Sequence, residues 1–114
     1  MDLMPSNYIP DLGDIIWIDF DPQAGREQGA HRPALVLTPK AYNEKVGLLL
    51  CCPMTTKIKG YPFEVNITGK PANAALTDQI SSLDWNERHA TFKGKIADKE
   101  LLHVKAKIAA LLSL

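Results

Sequence analysis

Residues 46–55 read "VGLLLCCPMT". The run is nearly continuous in apolar side chains, opens behind Gly47 and meets Pro53, and is far too short to span a bilayer. An apolar run of this length between turn residues fits a strand covered on both faces. The expectation is a central strand that surfaces at Thr55 and Thr56.

The segments on either side read as its partners. "GDIIWIDFDP" (13–22) alternates, with Ile16, Ile18 and Phe20 on one face and Ile15, Trp17 and Asp19 on the other, until Pro22 ends it. "QAGREQGA" (23–30) carries two glycines and four long polar side chains and reads as an exposed loop. "RPALVLT" (32–38) is a second strand. Pro33 pushes Arg32 into extended geometry at the mouth of that strand, with Ala34 to Leu37 buried behind it. "PKAYNEK" (39–45) reads as a turn or one short helical turn. "TKIKG" (56–60) leads into "YPFEVNI" (61–67), a strand with Phe63, Val65 and Ile67 on one face. After the loop "GKPANA" (69–74), one strand is expected around Leu76 to Leu83 and another, with a glycine, in "ATFKGKIA" (90–97). The end changes period. Leu101, Val104, Ile108, Leu111 and Leu112 fall at helical spacing, with Asp98 as candidate N-cap and Glu100 in the first turn. Five or so short strands closed by one C-terminal helix predict a mostly β (α+β) fold, a small antiparallel barrel.

Bulk properties narrow the function. A chain of 114 residues with 46% hydrophobic and 23% charged content is expected to form one soluble domain spanning 1–114. "MDLMPSNYIP" has no basic start and no apolar stretch of a signal peptide, so a cytoplasmic location is the expectation. The two cysteines, Cys51 and Cys52, are adjacent. Neighbours in a strand point to opposite faces, which suits neither a disulfide nor a metal centre. No cofactor or metal is expected. Net charge is zero, against a generic nucleic-acid coater. Yet all thirteen Lys and Arg follow residue 25, while the first 25 residues hold five Asp and no base. A neutral chain so divided can still present a cationic groove.

Chemistry is concentrated where Arg26, Glu27 and Gln28 run into His31 and Arg32. Cleavage of RNA by its own ribose needs a proton taken from the 2′-hydroxyl, a proton given to the leaving 5′-oxygen, and stabilisation of charge on the phosphorane. The planar fork of arginine suits the last task. Glutamate or histidine can move protons, a threonine hydroxyl can donate to a phosphate oxygen, and no metal is required. Each residue also has a plainer reading. An Arg beside a Glu is more often a surface pair worth about 0–1 kcal/mol. An isolated His31 is more often an ordinary loop-edge histidine, and His89 and His103 read as structural or surface. Phe20 reads equally as core packing or as a stacking face for a base. Residues alone lead to a small β-barrel with a polar, nucleic-acid-binding rim.

The order "YIPDLGDIIWIDFDP", "EQGAHRPALVLT", "PMTTKIKGYPFEV", "LTDQISSLDW" resembles the MazF/PemK family of toxin ribonucleases from Tyr8 to the final helix. The resemblance implies an SH3-like barrel of the CcdB/PemK-like toxin fold that homodimerises. It also implies a metal-independent endoribonuclease that cuts single-stranded mRNA and leaves 2′,3′-cyclic phosphate and 5′-hydroxyl ends. Such a toxin pairs with an antitoxin whose acidic disordered segment occupies the RNA groove, and contacts operator DNA only through that complex. Carried over by motif, Arg32 and Thr55 form the central catalytic pair and Glu27 matches an acidic loop residue tied to activity. His31, Gln28, Phe20, Lys57, Asp78 and Gln79 fall in or beside the RNA groove. PemK-type relatives place an Asp and an Arg around the "DQ" region; this chain has Asp78 but no arginine there, which favours the MazF-type arrangement. Sequence specificity is expected in the loop between Phe20 and His31. The alternative is a non-enzymatic topoisomerase poison of the CcdB type on the same barrel. It would need an exposed C-terminal hydrophobic contact, whereas "IAALLSL" (108–114) reads as helix packing.

Overall fold

The computed structural model describes residues 7–20 and 31–114. Along the described chain run β1 (Asp14–Asp19), β2 (His31–Val36), α1 (Lys40–Val46), β3 (Leu48–Thr55), β4 (Glu64–Ile67), β5 (Asn73–Leu76), β6 (Ser81–Asp84), β7 (Thr91–Lys95) and α2 (Asp98–Leu112). The apolar run is the central strand. β2 lies along one edge of β3. The other edge is divided, with Leu48 to Cys51 paired to β6 and Met54 and Thr55 paired to β5. β1 continues the sheet beyond β2, β7 lies beyond β1, and β4 lies outside β5. All of these pairings are antiparallel.

Side-chain alternation along this sheet creates two apolar layers. Leu35, Cys52, Met54, Val65 and Ile67 face one layer, which α2 closes with Val104 and, partly buried, Leu101 and Ile108. Ile16, Ile18, Ala34, Val36, Leu49 and Cys51 face the other, flanked by Phe20 and Trp85. The adjacent cysteines therefore belong to different layers, as period-two geometry requires. Each fully buried Ile, Leu or Val contributes about 1.5–3 kcal/mol over its exposed state.

Several expectations are corrected. Among the described residues the sheet has seven strands, not about five. The single strand expected over Leu76–Leu83 is two, broken by a turn in which the Gln79 N–H donates to the Leu76 carbonyl at 3.0 Å, just after Thr77 donates its N–H and hydroxyl to the Phe63 carbonyl at 3.1 and 2.6 Å. Asn73 and Ala74, read as loop, already belong to β5. α1 is longer than one turn. Its anchor is the fully buried Asn43, whose amide donates to the Pro10 and Thr38 carbonyls and accepts from the Thr38 hydroxyl. The helix ends at Gly47, whose left-handed φ of 81° glycine adopts without a side-chain clash. At α2 the N-cap is Ala97 and Asp98 is the first helical residue. Leu111 and Leu112, expected in the packing, are 39% and 55% exposed. Among the described residues no helix is long and apolar enough to cross a membrane.

Candidate active site

β2 carries Arg32 as its second residue, opposite Ile18 of β1. Between β2 and β3 the ladder pairs Val36 with Cys51, Leu35 with Cys52 and Ala34 with Pro53. Continued in the same register, Arg32 comes opposite Thr55. Both then lie on the face that carries Ala34, Val36 and Cys51. One Arg32 Nη2 hydrogen is donated to the Met54 carbonyl (3.2 Å), and the guanidinium carbon lies 5.9 Å from the Phe20 ring centroid. Half-buried and held at two points, the fork keeps its remaining N–H groups for a ligand. Phe20 flanks the apolar layer, as core packing requires, and also lies beside the Arg32 guanidinium.

Thr55 ends β3 just where the strand surfaces. Its Oγ1 accepts the Lys57 N–H (3.0 Å), which leaves the hydroxyl proton to donate outward. Lys57 and Gln79 line the same shallow cleft of about 200 Å³ with Thr55. The wall of that cleft is a turn held by Glu64, whose carboxylate accepts from the backbone N–H of Lys59 and Gly60. Asp78 is exposed on the β5–β6 turn beside Gln79 and lines neither this cleft nor the larger one described next.

The larger cleft, about 520 Å³, also reaches Thr55 but opens over the other face of β1 and β2, with Trp17 and Pro33 in its floor and Lys70, Lys93 and Lys95 on its sides. On this side His31 turns away from Arg32. It sits beside Arg32 in the chain but points the opposite way, stacked on Trp17 with ring centroids 5.9 Å apart and planes 11° off parallel. Its Nδ1 donates to Asp19 Oδ1 at 2.6 Å. Asp19 Oδ2 accepts from His89 Nδ1 at 3.0 Å, which brings His89, read as structural or surface, beside His31 on the exposed rim. Hydrogen bonds from His89 and His31 hold the Asp19 carboxyl below the usual range. Arg88 fixes the approach: its Nη1 donates to the Asp19 and Phe20 carbonyls, and its own carbonyl accepts the Asp19 N–H.

Arg32, Thr55, Lys57, Gln79 and Phe20 thus gather about one end of β3, and His31 lies behind them. Glu27 and Gln28, with the loop expected to set specificity, lie outside the described residues. Asp19, Arg88 and His89, which the geometry brings beside this centre, were not among the expected site residues. Only the alternation of β1, which puts Asp19 on the Trp17 face, could have pointed to the first of them.

The model of the PemK-like, MazF-like toxins of type II toxin–antitoxin systems matches residues 11–112. The chain is 54% identical over 110 residues to the endoribonuclease toxin MazF of Escherichia coli strain K12, covering 96% of this chain and 99% of that one. It superposes on crystalline MazF of Deinococcus radiodurans with a TM-score of 0.85 at 44% identity, covering 95% of this chain and 100% of the other. Against MazF in a MazE–MazF structure from the same organism the TM-score is 0.83 at 38% identity, with 95% and 99% covered.

Proposed function

The chain belongs to the PemK-like, MazF-like toxins of type II toxin–antitoxin systems, and from that premise we propose how its residues cut RNA. The protein is an endoribonuclease toxin, and its partner is a cognate antitoxin. The substrate is single-stranded mRNA in the cytoplasm, cut without metal. The 2′-oxygen gives up its proton and bonds to phosphorus, the bond to the 5′-oxygen breaks, and that oxygen takes a proton. The products are a 2′,3′-cyclic phosphate and a 5′-hydroxyl.

The observation that carries the assignment is Arg32, fixed between the Met54 carbonyl and Phe20 in register with Thr55. A guanidinium held in this way needs no reorganisation when charge develops on the phosphorane. The Thr55 hydroxyl donates to a second phosphate oxygen, and Glu27 moves a proton. Lys57 and Gln79 meet the flanking RNA along the smaller cleft. The working unit is a homodimer, and the acidic segment of the antitoxin competes for the same cationic surface. The test is incubation of purified protein with a defined RNA pool in EDTA, followed by sequencing of 5′-hydroxyl ends. The reading requires cuts at one short motif with that end chemistry; intact RNA, or 5′-phosphate ends, would reject it.

A further inference from the structure

Asp19, His31 and His89 form a unit that this reaction does not use. One carboxylate, drawn from β1, holds two imidazoles by the same ring nitrogen, one from β2 and one from the turn before β7. An ionised carboxylate only accepts hydrogen bonds, so the proton of each neutral ring must sit on Nδ1. Both rings then turn a bare Nε2 outward, and their side chains are 46% and 77% exposed. His89 stands at a left-handed φ of 57°, where glycine is the easier residue. The turn itself asks for no imidazole; the contact with Asp19 is what the histidine adds.

We propose that Asp19, His31 and His89 form a second RNA subsite, in which the two outward Nε2 atoms accept hydrogen bonds from ribose 2′-hydroxyls of nucleotides flanking the cut. Asp19 is the positioning residue: it fixes the tautomer and does not itself touch RNA. A 2′-hydroxyl is the donor that marks RNA off from DNA, and a bare Nε2 is an acceptor matched to it. The place is suited to a strand leaving the Arg32–Thr55 centre, because His31 and Arg32 lie on opposite faces of one ribbon end and Thr55 borders clefts on both sides. Among the described residues the charged groups around the pair are Asp19 from β1, Arg88 from the turn, whose Nη1 donates to two backbone carbonyls, and Lys93 from β7, which lies 5.4 Å from the Trp17 ring centroid. Lys93 is the cation placed to supply a phosphate contact beside the imidazoles.

This inference rests on the ribonuclease reading, and the experiment separates the two. An oligoribonucleotide that the wild type cleaves is compared with a chimera that keeps ribose only at the cut and carries deoxyribose elsewhere. The wild type is expected to lose about tenfold in kcat/KM on the chimera, roughly the effect of one or two neutral hydrogen bonds. His89→Gly relieves the left-handed backbone and so keeps the turn. Combined with His31→Ala it should fall about as far on all-RNA and then show no further loss on the chimera. Asp19→Asn, whose amide keeps one accepting oxygen but presents an N–H to the other imidazole, should shift one of the two rings toward the Nε2–H tautomer in ¹⁵N spectra and reduce the ribose preference with both imidazoles present. If the variants keep the wild-type ratio between the two substrates, the subsite does not exist. Equal losses on both substrates with a shallower salt dependence would mean a phosphate contact and would also overturn the proposal. If no RNA at all is cut, the ribonuclease reading itself fails.

Discussion

Pro33 holds Arg32 extended, the Met54 carbonyl takes one of its hydrogens and Phe20 lies beside its guanidinium, so the fold restrains a side chain that carries about 2 kcal/mol of rotamer entropy. Restraint of that kind predicts dependence on shape more than on charge. Arg32→Lys keeps the cation and loses the fork, and single-turnover cleavage should fall on the order of 10²–10³, close to Arg32→Ala, while RNA binding drops far less. Thr55→Ala should slow the same step with little loss of stability, as judged by thermal melting. The cysteines are predicted to be inert. Burial pushes the thiols of Cys51 and Cys52 up to about 12. At pH 8 only about one in 10⁴ is then thiolate, so a thiol reagent should label the native protein only as fast as it unfolds. Rapid labelling under native conditions would refute their burial. The site was legible at this scale only in part. Arg32 and Thr55 came from motif, and proline chemistry explained the extended arginine. The grouping of His31 with Arg32 followed nearness in the chain, whereas strand alternation sends the two to opposite faces. The contact of Asp19 with His89 spans 70 positions, a distance no local pattern reports.

The alternating strands β1 and β4 follow from their own residues, and continuous apolar runs give β2 and β3. Boundaries set by distant groups do not. α1 begins at Pro39 with no side-chain cap of its own. Its first N–H, from Lys40, instead donates to Asp11 Oδ1 at 2.9 Å, and Leu12 N donates to the same atom at 2.8 Å. The Asp11 carboxyl is held low chiefly by that bond from Lys40. A depressed carboxyl contributes stability above its unfolded value, near 3.9, and loses it as pH falls through the lower folded value. Asp11→Ala should therefore cost about 1 kcal/mol at pH 7, as a lost helix cap does, with the difference from wild type closing below about pH 4. Denaturant melts across that range check it, and a gap that persists undiminished at pH 2 would exclude the carboxylate as its source. Further along, Glu100 of α2 accepts both the N–H and the hydroxyl of Thr68, tying the β4–β5 loop beside the large cleft to the helix.

At the scale of the whole molecule, two apolar layers share one sheet, and the active end of β3 lies where both layers give out. Leu112 and Leu114 remain exposed at the end of α2, beside a shallow hollow that also takes in Leu12, Leu50 and Ile80. A homodimer is predicted, with an interface above about 1,000 Å² in total; light scattering at micromolar concentration should give twice the chain mass, and a monomer would count against it. Dimerisation also allows the central claim, that Arg32 and Thr55 of one chain make one centre, to be tested directly. The measurement is RNA cleavage by a purified mixed dimer, co-expressed with two tags, of one Arg32→Ala chain and one Thr55→Ala chain. With both residues drawn from the same chain every centre in that dimer is broken, and its rate should be no higher than that of either variant alone. Recovery of about half the wild-type rate would mean that the arginine of one chain works with the threonine of the other, and would contradict the account.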